Sequence, residues 1–419
     1  MKSSQHLCKI TEIINATKTL LLARKNPKAF TRNRSMGFAE VLRFQLDMRK
    51  TTLQTRLNLY FAQKGGDPIS QQAFSKLRAN YDHSPFVTMV QETTLGEYSE
   101  ESETPQWNGY YVFAVDGTIL QLPRTDEMRE AFGTQGHGHI CLCAGVSVLF
   151  DVCNGWALDP IFERSDRNER VACAHHIEYL CEALPRVAQN SILLVDRGYP
   201  SYNLLGLMQA KGLKFLARCS SESFPVVNNA PMGSSIVTLQ KGKGRKISFR
   251  ARVFKFFLPS GEIETLVTNL FDLLDSDLPE LYHMRWGVET AYHRLKRELC
   301  VENFSGKTPG SVRQDFWASI VLLNLVSSFQ KEADEVVAKR HKDKKIKHSY
   351  RARTSDLIIT LRDRFVFLTL SGPSPFTDRE LLNILKAISR VVSPVRHGRS
   401  YPRPKGSHHL ANLNLKSHL

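Results

Sequence analysis

Apolar residues recur at helical spacing in the first part of the chain, over residues 38–48, 52–61 and 71–80. A break containing glycine and proline at residues 65–68 precedes the third stretch, and Ser70 is placed to cap the helix that follows. This third helix is short and basic, with Lys76 and Arg78. Such a pattern is compatible with a helical DNA-binding unit, although a plain helical bundle has the same pattern.

Between residues 110 and 218 the pattern changes to short apolar runs that alternate with helical stretches. Strands are predicted over residues 110–115, 140–150, 155–162, 191–195 and 213–218. Helices are predicted over residues 168–188 and 202–211. The run at residues 191–195 is continuously apolar, as in a strand that is buried on both faces. This order predicts an α/β region in which helices cover a mixed sheet.

The segments on either side of this region differ from it. Residues 81–108 are rich in Ser, Thr and Glu, which predicts a linker. Residues 220–275 are rich in β-type residues and predict a β-rich insertion before a long helix over residues 278–300. The run at residues 339–347 is very basic, and we expect the basic tail from residue 394 to be flexible.

The charge of the chain is distributed unevenly. The 419 residues, enough for roughly two to four domains, include 57 Lys and Arg against 41 Asp and Glu, a formal net charge of +16. Residues 1–95 carry +9, residues 331–419 carry +11, and the centre carries −4. Ordinary surface charge is one explanation. Two basic flanks around an acidic centre also suit a metal-dependent centre with flanks that hold DNA.

Two classes of protein are disfavoured by the sequence. The longest apolar run, near residues 317–326, is shorter than the roughly 20 residues that span a bilayer, so we expect no membrane protein. The N-terminus lacks the uninterrupted apolar core of a signal peptide. None of the eight cysteines forms a Cys-x-x-Cys pair, and we expect them to be reduced in the cytoplasm.

Two aspartates are the first candidates for chemistry. Asp116 and Asp196 each follow an apolar run and are predicted to stand at the C-terminal end of a strand. If the two strands are neighbours, both carboxylates can bind one hard cation such as Mg²⁺, which prefers oxygen ligands. Each aspartate, taken alone, is better explained as the cap of a turn.

The helix predicted over residues 278–300 carries a third candidate carboxylate, Glu289. At about 100° per residue, Tyr282, Arg285, Glu289 and Lys296 fall on one face about 60° wide. A solvated polar stripe is the ordinary interpretation of such a face. A glutamate placed among Tyr, Arg and Lys can also be a metal ligand surrounded by phosphate-binding groups, and it would complete a three-carboxylate set.

At these residues the sequence resembles a known family. The spacing of Tyr282, Arg285, Glu289 and Lys296 reproduces the YREK signature of DDE insertion-sequence transposases, in the branch that excises its element through hairpin intermediates. Residues 115–118 resemble the first Asp motif of that family and residues 195–199 resemble the second. Further similar segments lie at residues 30–34, 72–75, 268–270, 281–286, 302–307 and 313–316, so the resemblance covers about residues 25–330.

The resemblance implies a ribonuclease H-like catalytic fold, with the β-rich insertion between the second Asp and the Glu. It implies a helical DNA-binding domain at residues 1–95, a catalytic domain at residues 96–330 that includes the insertion at 220–275, and a basic region for DNA or subunit contacts at 331–419. Asp116, Asp196 and Glu289 would be the catalytic residues and would hold two divalent ions, Mg²⁺ or alternatively Mn²⁺.

The remaining site residues are also implied by the resemblance. Tyr282, Arg285 and Lys296 would bind DNA phosphates near the scissile bond. Trp286 is a candidate platform for a flipped base, although its position on the predicted helix also suits the core. Arg197 follows the second Asp and is a further candidate DNA contact.

The implied function is that of a DNA transposase that cuts at the ends of a mobile element and joins them to target DNA. Its partners would be double-stranded DNA, at the element ends and the target, and a second copy of the chain in the active complex. The expected location is the bacterial cytoplasm, in association with the nucleoid. A metal-dependent nuclease on the same fold and an inactive transposase-derived DNA-binding regulator remain the alternatives.

Overall fold

The structure is a computed structural model that describes residues 2–395 except 33, 48, 100–103, 136–140, 221–222, 243–246, 343 and 345–347. The basic tail beyond residue 395 and part of the basic run at residues 339–347 lie outside the described residues. The chain divides into two compact units. Unit 1 comprises Met1–Thr93, Gln121–Cys143 and His293–Leu419, and unit 2 comprises Thr94–Leu120 and Ala144–Tyr292.

The helices in chain order are α1 (Lys2–Asn15), α2 (Thr17–Ala23), α3 (Phe38–Gln45), α4 (Leu53–Lys64), α5 (Gln71–Arg78), α6 (Ser84–Thr94), α7 (Asp126–Phe132), α8 (Glu169–Ala183), α9 (Pro185–Gln189), α10 (Tyr202–Ala210), α11 (Pro225–Asn228), α12 (Asp277–His283), α13 (Trp286–His293), α14 (Pro309–His341), α15 (Thr354–Ser371) and α16 (Pro375–Ile388). A 3₁₀ turn covers Leu95–Tyr98, and a π-helical turn covers Arg294–Glu298. The strands are β1 (Tyr111–Gln121), β2 (Thr134–Gln135), β3 (Cys141–Asp151), β4 (Trp156–Arg164), β5 (Ser191–Val195), β6 (Lys214–Arg218), β7 (Gly233–Lys241), β8 (Ile247–Phe257), β9 (Ile263–Thr268), β10 (Ser349–Ala352) and β11 (Val392–Val395).

Unit 2 is built on a mixed sheet. Its strand order runs β3-β1-β5-β6-β9-β8-β7, with β4 paired to β3. The pairs β1–β5 and β5–β6 are parallel, whereas the pairs β3–β4 and β6–β9 are antiparallel. Helices α8, α10 and α12 pack against the sheet. The predicted fold class, a mixed sheet with flanking helices, is therefore confirmed.

The apolar residues of the central strands form the core of unit 2. All of the side chains of β5 are buried, as the continuous apolar run predicts, and Phe113 of β1 and Phe215 of β6 pack in the same cluster. The predicted β-rich segment forms β7, β8 and β9. These strands extend the central sheet, because β9 pairs with β6.

Unit 1 is mainly helical, and α14 contacts α1, α7, α15 and α16 within it. The helices predicted in the first 80 residues are present as α3, α4 and α5. Arg78 of α5, which made this helix look basic, does not face solvent. It is buried and forms an ion pair with Asp315 of α14 at 2.9 Å. Lys76 is exposed on the same helix.

The prediction of a linker over residues 81–108 is wrong for much of this segment. α6 and the 3₁₀ turn after it occupy residues 84–98, and Phe86, Met89 and Val90 are fully buried. The segment contains many Ser, Thr and Glu residues, but its apolar residues lie on one face of the helix. A polar composition alone therefore did not distinguish a linker from an amphipathic helix.

The prediction of one continuous helix over residues 278–300 is also wrong. α12 and α13 meet at a tight junction in which the N–H of Arg285 donates to the carbonyl of Tyr282, three residues back, at 3.1 Å. After α13, the N–H of Leu299 donates to the carbonyl of Arg294, five residues back, at 2.8 Å. Both irregularities change the rotation of the side chains that follow. A uniform 100° per residue therefore does not describe this segment.

In the described part of the chain, no helix is both long enough and apolar enough to span a bilayer.

Candidate active site

Asp116 and Asp196 are brought side by side by the pairing of two parallel strands. The last registered pair of β1 and β5 is Val115 with Val195, so the next residue on each strand is an aspartate. Because the strands are parallel, both aspartates lie at the same edge of this ladder. The condition under which both carboxylates can share one cation, that the two strands are neighbours, is met.

The backbone around the two aspartates is similar. The Oδ1 atom of Asp116 accepts the N–H of Gly117 at 2.9 Å, and Oδ1 of Asp196 accepts the N–H of Arg197 at 2.8 Å. One prediction needs correction, because β1 does not end at Asp116 but continues to Gln121. Asp116 lies at the end of the pairing with β5, and β1 continues beside β3.

The junction between α12 and α13 directs Tyr282 and Arg285 at the aspartates, and Arg285 also meets Glu289. The hydroxyl of Tyr282 donates to Oδ1 of Asp196 at 3.0 Å. Arg285, with only 4% of its side chain exposed, places Nη2 at 2.7 Å from Oε1 of Glu289. The same guanidinium lies 3.6 Å from Oδ2 of Asp116 and 4.0 Å from Oδ2 of Asp196. Asp116, Asp196 and Glu289 therefore converge on a single cationic group.

The environments of the two aspartates shift their pKa values in opposite directions. Burial raises the pKa of Asp116 to about 6, against the opposing effects of the Gly117 N–H and Arg285. Burial also acts to raise the pKa of Asp196. There the Arg197 N–H, the charge of Arg285 and the Tyr282 hydroxyl outweigh it, and the pKa lies below its ordinary value.

Arg285 remains a cation in this surrounding. Burial opposes its charge, but Tyr282, Asp196, Glu289 and Asp116 together hold its pKa above the ordinary value. A permanently charged guanidinium thus balances part of the negative charge of the site.

The three carboxylates match a divalent cation in ligand type but not in their present spacing. Within the described residues, no three His, Cys, Asp or Glu side chains lie close enough together to ligate one ion. The three carboxylates around Arg285 are nevertheless the oxygen ligands that Mg²⁺ prefers, and a guanidinium already stands among them. These residues could hold a divalent ion if Arg285 moved away.

The other predicted site residues occupy different surroundings. Trp286 is 47% exposed and its ring lies 6.4 Å from that of His283, so it does not lie in the core. Arg197 is exposed in the loop after β5. Lys296 belongs to the π-helical turn in unit 1, where burial lowers its pKa.

The sequence did not single out several groups that border the site. Arg218, the last residue of β6, forms a 3.0 Å ion pair with Glu264 of β9, and its charge contributes to the low pKa of Asp196. Tyr292 of α13 donates its hydroxyl to the backbone carbonyl of Asp116 at 2.7 Å. Its position three residues after Glu289, on the same face of the helix, was the available signal.

Comparison with known proteins identifies the family. A sequence model of the family described as "Transposase DDE domain" matches residues 107–325, which contain both aspartates and Glu289. The chain belongs to this family. The DDE transposase is also 22% identical over 342 residues to "Transposase InsG for insertion sequence element IS4" of Escherichia coli (strain K12), covering 76% of this chain and 73% of that relative.

Among solved structures, the DDE transposase is similar to a chain of "Cryo-EM structure of piggyBac transposase synaptic complex with hairpin DNA (SNHP)". The TM-score is 0.46 at 12% sequence identity, and the match covers 95% of this chain and 84% of that one. As a DDE transposase the protein is an enzyme, a polynucleotidyl transferase that acts on DNA.

Proposed function

We propose that this DDE transposase cuts DNA at the ends of an insertion sequence and joins the freed ends to target DNA. One observation carries the proposal, namely that Asp116, Asp196 and Glu289 converge on one guanidinium beside the paired strands β1 and β5. Carboxylates gathered at one point are what metal-assisted displacement at phosphorus requires. The similarity to a transposase of an insertion sequence supports the choice of substrate.

Asp116, Asp196 and Glu289 are the proposed ligands of two divalent ions, Mg²⁺ or Mn²⁺, whose chemistry is to activate an oxygen nucleophile and to neutralise charge at the phosphate. Tyr282 fixes the orientation of Asp196 through its hydroxyl. Divalent ions bound to these carboxylates would displace Arg285 from them. Its planar guanidinium can then donate two parallel hydrogen bonds to a DNA phosphate.

The proposed reaction is a series of phosphodiester exchanges that need no covalent protein–DNA intermediate. Water attacks the phosphate at the element end and releases a 3′-hydroxyl. That hydroxyl attacks a phosphate of the opposite strand to form a hairpin, and the 3′-oxygen of the flanking DNA leaves. Water then attacks the hairpin phosphate and releases the 3′-hydroxyl again. The 3′-hydroxyl finally attacks a phosphate of the target, and the 3′-oxygen of the target strand leaves.

A hairpin bends its strand sharply, and flipping out one base relieves the bend at a cost of about a few kcal/mol. We assign Trp286 as the stacking platform for this base, because its ring is exposed one residue after Arg285. Tyr282 and Lys296 are proposed as further phosphate contacts, and Arg197 as a contact to DNA from the loop after β5.

The basic flanks are proposed to hold the DNA. Residues 1–95 would bind the element ends, residues 96–330 would perform the chemistry, and residues 331–419 would contact DNA or the second subunit. A homodimer is the expected active form, because two ends must be paired before joining. The place of action is the bacterial cytoplasm, at the nucleoid.

The test is a cleavage and strand-transfer assay with the element ends, Mg²⁺ and target DNA, using wild-type protein and Glu289→Gln. The substitution retains the shape of the side chain but removes its charge. We expect no detectable cleavage or joining and nearly unchanged DNA affinity. Glu178→Gln, an exposed glutamate on α8, is the matched control and is expected to retain activity.

Other results of the cleavage and strand-transfer assay would indicate a different function. Cleavage without any joining would replace the proposal with a metal-dependent nuclease. Tight binding without cleavage by the wild type would replace it with a DNA-binding regulator. Full cleavage by Glu289→Gln would exclude the three-carboxylate site itself.

A further inference from the structure

Helix α8 brings a fourth carboxylate to the two aspartate loops. Glu169 is the first residue of α8, and Asn168 caps the helix by accepting the N–H of Arg170 at 2.9 Å. The Nε atom of Arg170 donates to the carbonyl of Gly198 at 3.0 Å. This bond joins the start of α8 to the loop that begins at Asp196. The position of Glu169 is therefore fixed by the Asn168 cap before it and by the Arg170 contact after it.

The carboxylate of Glu169 lies in a space that two glycines leave open. A Cβ atom at Gly117 would stand 3.1 Å from its Oε1, and a Cβ at Gly198 would stand 3.7 Å from its Oε2. Neither glycine has a positive φ, so the backbone conformation does not require glycine at these positions. Gly117 directly follows Asp116, and Gly198 is the second residue after Asp196. Both motifs thus make room for the same carboxylate.

A buried hydroxyl points into this space. Tyr199 is 2% exposed, and its hydroxyl has no hydrogen-bond partner among the residues that the structure describes. That hydroxyl would lie 3.6 Å from a Cβ at Gly117, the point that the Glu169 carboxylate also approaches. A buried hydroxyl without a partner costs about 1–3 kcal/mol. A polar ligand such as a water molecule between Tyr199 and Glu169 would remove this cost.

The charged groups of the site also act electrostatically on the Tyr199 hydroxyl. Burial, and then the negative charges of Asp116 and Glu169, raise the pKa of Tyr199 far above its ordinary value. A phenol hydroxyl can donate a proton to a hydrogen bond. The Cβ position of Gly117, the residue after Asp116, lies near both the Tyr199 hydroxyl and the Glu169 carboxylate, so these groups surround one small region of unit 2.

We infer that Glu169 is a fourth carboxylate of the cation site, which it serves through the water shell of a divalent ion, with the Tyr199 hydroxyl donating to the same water. Mg²⁺ usually keeps several of its waters, so a carboxylate can contribute without touching the ion. The inference rests on the proposed function, because it extends the site of Asp116, Asp196 and Glu289. Nothing in the signature residues points to Glu169.

The experiment measures Mn²⁺ binding to the full-length protein by isothermal titration calorimetry in the absence of DNA. Glu169→Gln is compared with the wild type and with Glu178→Gln on the same helix. Loss of an outer ligand typically weakens metal binding by about 10–100-fold, so we expect Glu169→Gln to lose at least tenfold. Glu178→Gln should bind like the wild type.

Gly117→Ala is a second variant, which keeps the carboxylate but displaces it, and it should weaken Mn²⁺ binding in the same direction. Asp196→Asn and Glu289→Gln distinguish the assignment of Glu169 from the proposed metal site of Asp116, Asp196 and Glu289. If they lose Mn²⁺ binding and Glu169→Gln does not, the assignment of Glu169 is wrong and the proposed function stands. If none of the variants changes binding, both the assignment and the proposed metal site fail.

Discussion

Arg285 is the residue on which the charge balance of the site depends. Its guanidinium contacts Asp116, Asp196 and Glu289, and only 4% of its side chain is exposed. Three carboxylates held together without a cation would repel one another strongly in such a half-buried site. Arg285 therefore stabilises the protein without metal, and it competes for the same oxygen atoms that a metal ion needs.

We predict that Arg285→Ala binds Mn²⁺ more tightly than the wild type in the absence of DNA, by about three- to tenfold, since a competing charge is gone. The same variant should lose DNA cleavage, because the phosphate contact is gone as well. Titration calorimetry and a cleavage assay measure the two effects. Arg297→Ala, at an exposed arginine, is the control for Mn²⁺ binding. Weaker Mn²⁺ binding by Arg285→Ala would contradict the competition.

At the scale of elements, α8 is joined to β3 and β4 by a buried network. Nε2 of His176 lies 2.9 Å from the Ser147 hydroxyl, and Nδ1 lies 2.6 Å from Oδ2 of Asp159. The order of these groups is that of a serine hydrolase triad. His176 and Ser147 are buried, however, so the network positions α8 and has no access to substrate.

The network predicts a pH-dependent stability. Burial lowers the pKa of His176 against the charge of Asp159, while His175 and Arg167 lower it further. Neutral His176 therefore favours the folded state above the unfolded pKa of about 6.5, and this stability is lost as the pH falls through the lower folded pKa. We expect the thermal midpoint to fall between pH 7.5 and pH 5, and to fall less in His176→Gln. A fall in His176→Gln as steep as that in the wild type would argue against this assignment.

Helices α5 and α14 are joined by a second buried network, centred on Arg78. Besides the ion pair with Asp315, Arg78 donates to Oε1 of Gln314 at 2.9 Å and to the hydroxyl of Ser305 at 2.7 Å. Removing one partner would leave a charge buried and unpaired, which costs about 3–5 kcal/mol. A basic residue on a predicted DNA-binding helix is here a structural cation.

We predict that Arg78→Ala lowers the free energy of unfolding by about 3–5 kcal/mol. Lys76→Ala, from an exposed position on the same helix, should change it by less than about 0.5 kcal/mol. Urea denaturation followed by circular dichroism measures both. Equal effects of the two substitutions would show that the Arg78 network does not stabilise unit 1.

At the scale of the whole molecule, the uneven charge predicts how the protein responds to salt. Residues 1–95 and 331–419 together carry +20, and the centre that holds the carboxylates is acidic. Neutralising phosphates with Lys and Arg releases counterions, so affinity for double-stranded DNA falls with salt by about 0.9 in the log–log slope for each phosphate contacted.

We expect the affinity for double-stranded DNA to fall by at least about a hundredfold between roughly 50 and 200 mM salt. Fluorescence anisotropy with a labelled duplex measures this slope. Glu289→Gln serves as the control, since it alters the site but not the flanks, and it should have the same slope. An affinity independent of salt would rule out phosphate binding by the flanks.

The sequence by itself determined the fold class, the succession of the main strands and helices over residues 110–218, the two aspartates that follow apolar runs, and the family. These features depend on local pattern and on motif spacing, and both can be obtained directly from the amino-acid sequence. The sequence left open whether the strands of Asp116 and Asp196 are neighbours, and the pairing of β1 with β5 decided it.

Only the tertiary structure decided which charged groups meet. Arg78 pairs with a residue far away in the chain, and the partner of an arginine is not encoded in its own segment. The junction at Arg285 breaks the helix on which the shared face was calculated, so its contact with the three carboxylates followed from the fold and not from spacing. Glu169 reaches the site because α8 begins beside two glycines whose empty space becomes visible only when three separate segments are brought together.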